Sequence, residues 1–174
     1  FASTATGTSQ AFWGNAGGAS DNYNFVLYIK TNGIEARSWS GSASVTLLDY
    51  TGTEYRNLRT WNHLAYVYDP TISNKSTLYI NGTSVGTGTG TLGPDPEPGE
   101  VRIVGNHQDD GGFRWNYSGY LDEFRISRSI RYTSNFTPST TAFKDDKDTV
   151  LLLHGDGGGG IDPETNLPTL PGQG

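Results

Sequence analysis

The chain has no cysteine and no methionine in 174 residues. Disulfides therefore play no part in it, and cysteine usage gives no reading of the redox compartment. Charge is scarce as well. Only 17% of residues are charged, below the usual quarter, and 18 acidic residues against 12 Lys/Arg leave a net charge of -6. No Lys/Arg cluster interrupts this balance, so nucleic acid and anionic membrane are excluded as expected partners. No apolar run reaches the length of a membrane span, which argues against membrane insertion, and no signal-peptide pattern opens the chain. The first residue is Phe1 rather than Met, as in a processed or partial segment. Helical periodicity is missing too: no segment carries a 3.6-residue apolar stripe, and residues 127–132 offer one turn at most.

What the chain does have is glycine, 24 residues of it, and abundant Ser and Thr. Between the Gly, Asn and Pro turns lie short runs of alternating apolar character. They predict strands over 24–30, 34–39, 44–49, 63–68, 76–81, 84–86, 101–104, 119–127 and 149–154. Many short strands with frequent turns describe an all-β, two-sheet antiparallel sandwich of jelly-roll type. The proline-rich run 94–99 cannot pair in a sheet and reads as a surface loop. After His154 the chain turns to Gly-Asp-Gly-Gly-Gly-Gly and a Pro-bearing tail. Residues 1–154 thus form the expected sandwich and residues 155–174 a linker or tail.

The stretch "WNHLAYVYDPTISNKSTLYINGTSVG", residues 61–86, is the most ordered in character. Leu64, Tyr66 and Tyr68 share one face of a strand, and Ala65 and Val67 the other. Leu78 and Ile80 repeat the pattern across the loop 70–75. Asn81-Gly82 then provides the positive φ angles that a two-residue hairpin turn needs. Trp61 and His63 stand at the strand entrance.

This arrangement, together with "GYLDEFRISRSIRYTSNFTP" at 119–138, resembles the laminin G-like, concanavalin A-like jelly-roll superfamily. The resemblance covers residues 1–138. The segment "RYTSNFTPSTTAFKDDKDTVLLLHGDG", 131–157, looks like the junction between tandem laminin G-like units in tail-fibre-like and other virion proteins of bacterial viruses, and in some large secreted bacterial proteins. The first strands of the family pattern are missing before Phe1. The chain is then either an excerpt of a longer protein, or the run 150–153 fills the vacant strand position. That run is apolar on both faces and should pair as a strand, in its own sandwich or in that of a neighbouring copy.

Related jelly rolls include glycosidases, which need two carboxylates facing one cleft. Acidic residues at alternate positions of one strand would meet that need, and no such run exists. Asp122 and Glu123 are adjacent and should point to opposite faces. Asp145, Asp146 and Asp148 read as a solvated turn, and the three His residues lack metalloenzyme spacing. The expectation is a non-enzyme. Asp122 shares a strand face with Tyr120, Phe124 and Ile126, which would draw it inward. A carboxylate so placed either fastens a loop backbone or Trp61/His63, or ligates a metal.

The metal case rests on "GNHQDDGGF", 105–113. Asp109, Gln108 and Asp110 are hard oxygen donors of the kind calcium takes, with Asn106 and backbone carbonyls alongside. The stretch looks like the calcium loop of pentraxins, which share the jelly roll. Gln108 and Asp109 match that pattern, and His107 replaces an acidic residue. The alternative is a plain Asp110-Gly111 turn. For glycan binding the candidates are Trp115, Tyr117 and Asn106, where rings stack on sugar faces and the amide fixes hydroxyls. Tyr120, Trp13, Trp39 and Tyr50 are further aromatic candidates, although Trp in a sandwich usually fills the core. Asn74, Asn81, Asn116 and Asn135 each begin an Asn-x-Ser/Thr triplet, which matters only in a glycosylating host.

Three function classes follow. The first is a structural or adhesive surface module, most expected on a phage virion as a fibre or decoration unit. Its partners would be copies of itself, other virion or surface proteins, and cell-surface glycan. The second is a carbohydrate-binding module of a secreted bacterial protein, and the third a degraded glycosidase. All place the chain on a virion surface or outside the cell, and fold alone does not choose among them.

Overall fold

A computed structural model of the chain describes residues 2–3, 10–16, 23–40, 43–53, 55, 60–93, 100–103, 106–107, 113–114, 117 and 119–155. Its strands, in chain order, are β1 (Ala2–Ser3), β2 (Gln10–Ala16), β3 (Tyr23–Lys30), β4 (Gly33–Ser40), β5 (Ala43–Thr51), β6 (Leu64–Tyr68), β7 (Ser76–Ile80) and β8 (Thr83–Gly88). They continue with β9 (Glu100–Ile103), β10 (Asn106–His107), β11 (Phe113–Arg114), β12 (Gly119–Tyr120), β13 (Phe124–Ser127) and β14 (Thr149–Leu153). A five-stranded sheet has the order β5-β4-β3-β2-β9, and a three-stranded sheet the order β6-β7-β8. β13 pairs with β14, β1 with β12 and β10 with β11, and every pairing is antiparallel. The fold is an all-β jelly-roll sandwich, as the alternation predicts.

The core lies between the two larger sheets. Alternation in β3 sends Phe25, Leu27 and Ile29 inward, where they meet Leu78 and Ile80 of β7. The Phe25 and Tyr66 rings, 5.3 Å apart, join the two sheets directly. The outward residues Val26 and Tyr28 are buried as well, in a smaller cluster with Ala11. β3 is thus apolar on both faces, which suits the centre of its sheet.

β2 was not legible as a strand, and its register explains why. It is bulged between Ala11 and Trp13, so the consecutive Phe12 and Trp13 both serve the inner core. A bulge breaks the period-two signature on which strand recognition depends. A second bulge, opposite Ala36 and Arg37, puts both Leu47 and Leu48 of β5 into the core.

Two further expectations are corrected. Residues 119–127 are not one strand: β12 and β13 are separated at 121–123, where Glu123 has φ 52°. A residue in the left-handed region cannot continue a strand. Residues 127–132 form no helical turn. The Arg128 amide bonds to the Asp148 carbonyl, 2.9 Å away, instead of to its own preceding turn. The run 149–153 does pair, with Leu153, Leu152 and Leu151 opposite Phe124, Arg125 and Ile126.

The sheets approach most closely where β8 passes β5. A Cβ on Gly88 would lie 1.8 Å from the Leu47 carbonyl oxygen, whereas one on Gly86 would lie 3.5 Å from the Tyr50 Cβ. Gly88→Val should therefore lose about 3 kcal/mol or more of unfolding free energy, the upper range for overpacking, in urea denaturation. Gly86→Ala should lose little. Equal effects of the two substitutions would contradict this packing.

Candidate functional site

β6 is the outer strand of its sheet, and β13 is bonded on its β14 side alone among the described residues. The two strands border one cleft of about 830 Å³. Its floor is the inner face of the five-stranded sheet, with Phe12, Trp13, Phe25 and Leu27, and Leu121 closes one end. The backbone of β6 faces this space in a defined way. Asn81 N donates to His63 O (2.8 Å) and Asp69 N to Lys75 O (2.6 Å), so the odd-numbered residues of β6 bond to β7. By the alternation of an antiparallel ladder, the N–H and C=O groups of Leu64, Tyr66 and Tyr68 point away from β7, toward the cleft. Two side chains add polar atoms there. Trp13 Nε1 and His63 Nδ1 are buried with no hydrogen-bond partner among the described residues. Such atoms are uncommon in folded proteins and call for an explanation.

His63 is held by the β7–β8 turn. Asn81 (φ 51°) and Gly82 (φ 78°) supply the two left-handed positions expected of this Asn-Gly pair. Asn81 Oδ1 accepts from His63 N (2.9 Å), and Asn81 Nδ2 donates to Asn62 Oδ1 (3.0 Å). Around the imidazole stand Tyr132, Phe136 and Phe143, all edge-on, at 6.1, 5.4 and 6.3 Å. Tyr132 and Phe136 stack on each other at 3.7 Å. These aromatics belong to a strap, 128–148, that returns the chain from β13 to β14. The strap is anchored at the turn, where Phe136 N donates to Gly82 O (2.9 Å) and Asn135 Oδ1 accepts from Ser84 N (2.9 Å). At its other end Arg131 makes a two-pronged ion pair with Asp146, at 2.8 and 2.9 Å. That guanidinium holds the exposed Asp146 carboxyl well below the usual carboxylate range.

Asp122 and Glu123 act together at the far side of the cleft. The left-handed turn at Glu123 ends the alternation, so the inward placement expected for Asp122 does not occur, and it is exposed. Its Oδ1 accepts from Glu123 N and Gly155 N, both at 2.8 Å. Glu123 Oε2 accepts from Phe143 N (2.6 Å), and its Oε1 lies 2.7 Å from His154 Nδ1. The two carboxylates clasp the strap and the end of β14. The reading in which Asp122 fastens loop backbone is the one observed.

A second polar group lies on the outer face of the five-stranded sheet. Glu35 of β4 and Asp49 of β5 are direct cross-strand neighbours. Glu35 is 3% exposed. It accepts from Tyr28 OH (2.7 Å) and from Arg37 Nε, with Thr46 Oγ1 at 3.4 Å and Lys30 Nζ at 3.7 Å. Lys30 also pairs with Asp49. Burial, and then the bond to Glu35, push the Tyr28 hydroxyl well above its ordinary pKa. Both Glu35 oxygens are engaged by cations and donors, so this carboxylate pair is a closed ion network, not an acid and base flanking a substrate. Strand-by-strand reading missed the pair because its members sit on different strands. The turn at 31–33 was the available signal, since it sets Tyr28 opposite Glu35.

The other candidates fall as follows. Gln108, Asp109, Asp110 and Trp115 lie outside the described residues. Asn106 is in β10, paired with Arg114 of β11. Tyr117 is half-buried, its ring 5.3 Å from Phe12, and its hydroxyl donates to Tyr120 O at 3.2 Å. Burial pushes that hydroxyl's pKa up. Trp13 stands in the cleft and Tyr50 in the core. Among the described residues no three His, Asp or Glu converge as a metal site.

An inward-facing aromatic sandwich closed by an Asn-Gly hairpin and a late Asp-Glu turn ahead of the Phe124–Ser127 strand defines a class of β-sandwich domain. The sequence profile of the concanavalin A-like lectin/glucanases superfamily, in its laminin G-like form, matches residues 2–133, and the chain belongs to that superfamily. No curated protein and no solved structure was found to match it.

Burial above all, with the charge of Arg125 adding to it, pushes the His63 imidazole below its ordinary value of 6.5. The unfolded chain therefore takes up this proton at higher pH than the folded protein. The resulting stability is full above about pH 6.5 and is lost as pH falls toward the lower folded value. The melting temperature should fall between about pH 6.5 and pH 5, and His63→Phe, which keeps the ring contacts, should flatten that slope. A variant with the wild-type slope would show that His63 does not carry it.

Proposed function

We propose that this chain is a non-enzymatic structural and adhesive module at the surface of a larger assembly, of fibre or decoration type on a phage virion, which associates with copies of itself and with other surface proteins. The observation that carries the reading is strand β14. It is an edge strand whose Val150 and Leu153 are 61% and 44% exposed. Edge strands in isolated domains are usually blunted by charge, proline or bulges, because an open apolar edge pairs with other chains. β14 carries a bulge opposite Ile126 and Ser127 but no charge along Thr149–Leu153. Its exposure suits a chain that meets a partner there. The absence of an acid–base pair on the outer sheet face, where Glu35 and Asp49 are tied to Arg37 and Lys30, supports a non-catalytic role.

The test is sedimentation over a concentration series. The wild-type chain should self-associate. Val150→Lys should remain monomeric with a melting temperature close to wild type, because the side chain it replaces lies mostly in solvent. A wild-type chain that stays monomeric throughout would remove the reading.

Glycan recognition is a second reading, supported by the lectin membership of the superfamily, with Trp115, Tyr117 and Asn106 as the residues that would carry it. Its test is a glycan array probed with wild type and Trp115→Ala, and retention lost only in the variant would favour it. Calcium belongs to the 108–110 segment, where Asp109 with Gln108 and Asp110 would ligate it. Millimolar calcium, the weak range for extracellular sites, should raise the melting temperature, and Asp109→Asn should abolish the rise. Unchanged melting and calorimetry would remove calcium from the account.

A further inference from the structure

We infer that the cleft between β6 and β13 is an acceptor slot for an extended strand, and that the strand it takes is the Thr149–Leu153 segment of a second copy of this chain. The inference deepens the self-association reading above and rests on it. Three observations carry it.

The first is the backbone. Leu64, Tyr66 and Tyr68 direct their N–H and C=O groups into the cleft, and β13 borders the same space with an edge that has no strand partner among the described residues. A strand edge of this kind is satisfied most fully by another strand, through main-chain hydrogen bonds. β6 and β14 each have five residues, so the entering segment would match the open edge along its whole length.

The second is polarity. A strand in the slot would have the floor of Phe12, Trp13, Phe25 and Leu27 on one side and the strap, with Pro138 and Phe143, on the other. Only a segment apolar on both faces suits such a place. Thr-Val-Leu-Leu-Leu is such a segment. In its own sandwich β14 leaves Val150 and Leu153 exposed, so the exchange, which gives up the donor's own β13–β14 ladder, would cover that apolar surface.

The third is strand pairing. Within its own copy, Thr149, Leu151, Leu152 and Leu153 already pair antiparallel with β13, on the edge of β13 that faces away from the slot, setting the three leucines against Ile126, Arg125 and Phe124. The segment therefore forms a strand and accepts β13 as an antiparallel neighbour. Because donor segment and acceptor slot are different surfaces of one chain, each copy can give and receive. Such a heterologous contact builds rings or open arrays rather than closed two-fold pairs.

The probe is an acetylated peptide of residues 148–155, added to the intact chain. Amide exchange at Leu64, Tyr66 and Tyr68 is read by NMR, and Trp13 and Trp61 fluorescence alongside. In dilute protein these three amides should exchange almost as fast as exposed ones. Saturating peptide should slow them by about tenfold or more, as new ladder bonds form. The same peptide should also dissociate self-associated chains. A peptide N-methylated along its backbone keeps the side chains and loses the ladder donors, and it should do neither. Since only the peptide is altered, misfolding of the protein cannot imitate the result.

Amides already protected in dilute, peptide-free protein would mean that β6 and β13 close on each other, and would overturn the slot. So would a peptide that leaves the amides unchanged while the chain still self-associates. In that case self-association stands and only the slot is lost. Peptide binding by a chain that never self-associates would instead overturn the second copy as occupant, together with the self-association reading.

Discussion

The left-handed pair at Asn81-Gly82 is the constraint on which the working side of the molecule depends. A Cβ on Gly82 would lie 1.8 Å from the Phe136 carbonyl oxygen, so the strap can seat itself only against a glycine. The turn fixes the β7–β8 register and binds His63 from both sides through Asn81. It also reaches inward, since Asn62 bridges Asn81 to the carbonyls of Tyr55 and Thr60. One tight turn thereby places the β6 strand, the aromatic strap and the mouth of the cleft. A side chain at that glycine would disturb all three, although none of them is adjacent to it in sequence.

A sandwich of this kind gains its stability from the face between its sheets, where Phe25, Leu27, Ile34, Leu48, Leu78 and Ile80 exclude water. That contact is non-directional and leaves the strand edges unspecified. The edges are governed by hydrogen bonding, which demands a partner for each N–H and C=O. The chain settles its two regions differently. The five-stranded sheet is completed by β2 and β9, while the smaller sheet stops at β6 and resumes across the cleft as β13–β14.

The charged groups divide in the same manner. Glu35 is buried inside a ring of donors, and its role is consumed by holding three strands in register on the outer face. Asp122 and Glu123 spend their oxygens on backbone amides and His154, fixing the end of β14 beside β13. Neither set is arranged as an opposed acid and base. They are fasteners, and what they fasten is the geometry of the cleft.

Strand identity was written in the sequence wherever alternation was clean. The β3–β4–β5 meander and the β6–β7–β8 ladder follow from period-two patterning and from turn residues whose backbone preferences are local, and β14 from an unbroken apolar run. The Asn-Gly turn was legible for the same reason: left-handed φ is a property of the residue itself. The superfamily was legible from two separated motifs. The bulged β2 was hidden, because a bulge is defined by the partner strand and Phe12-Trp13 shows no alternation of its own. The break at Glu123 was hidden too, since its φ is imposed by the amides and the imidazole that Asp122 and Glu123 bind some twenty to thirty residues away. The cross-strand meeting of Glu35 with Asp49 depends on register across a bulged pair. Above all, no local pattern says whether an edge will find a partner. The sequence by itself determined which segments are strands, because side-chain alternation is local. Which edges stay open, and that two of them face a common cleft, was decided by the tertiary structure, because backbone pairing is a relation between distant segments.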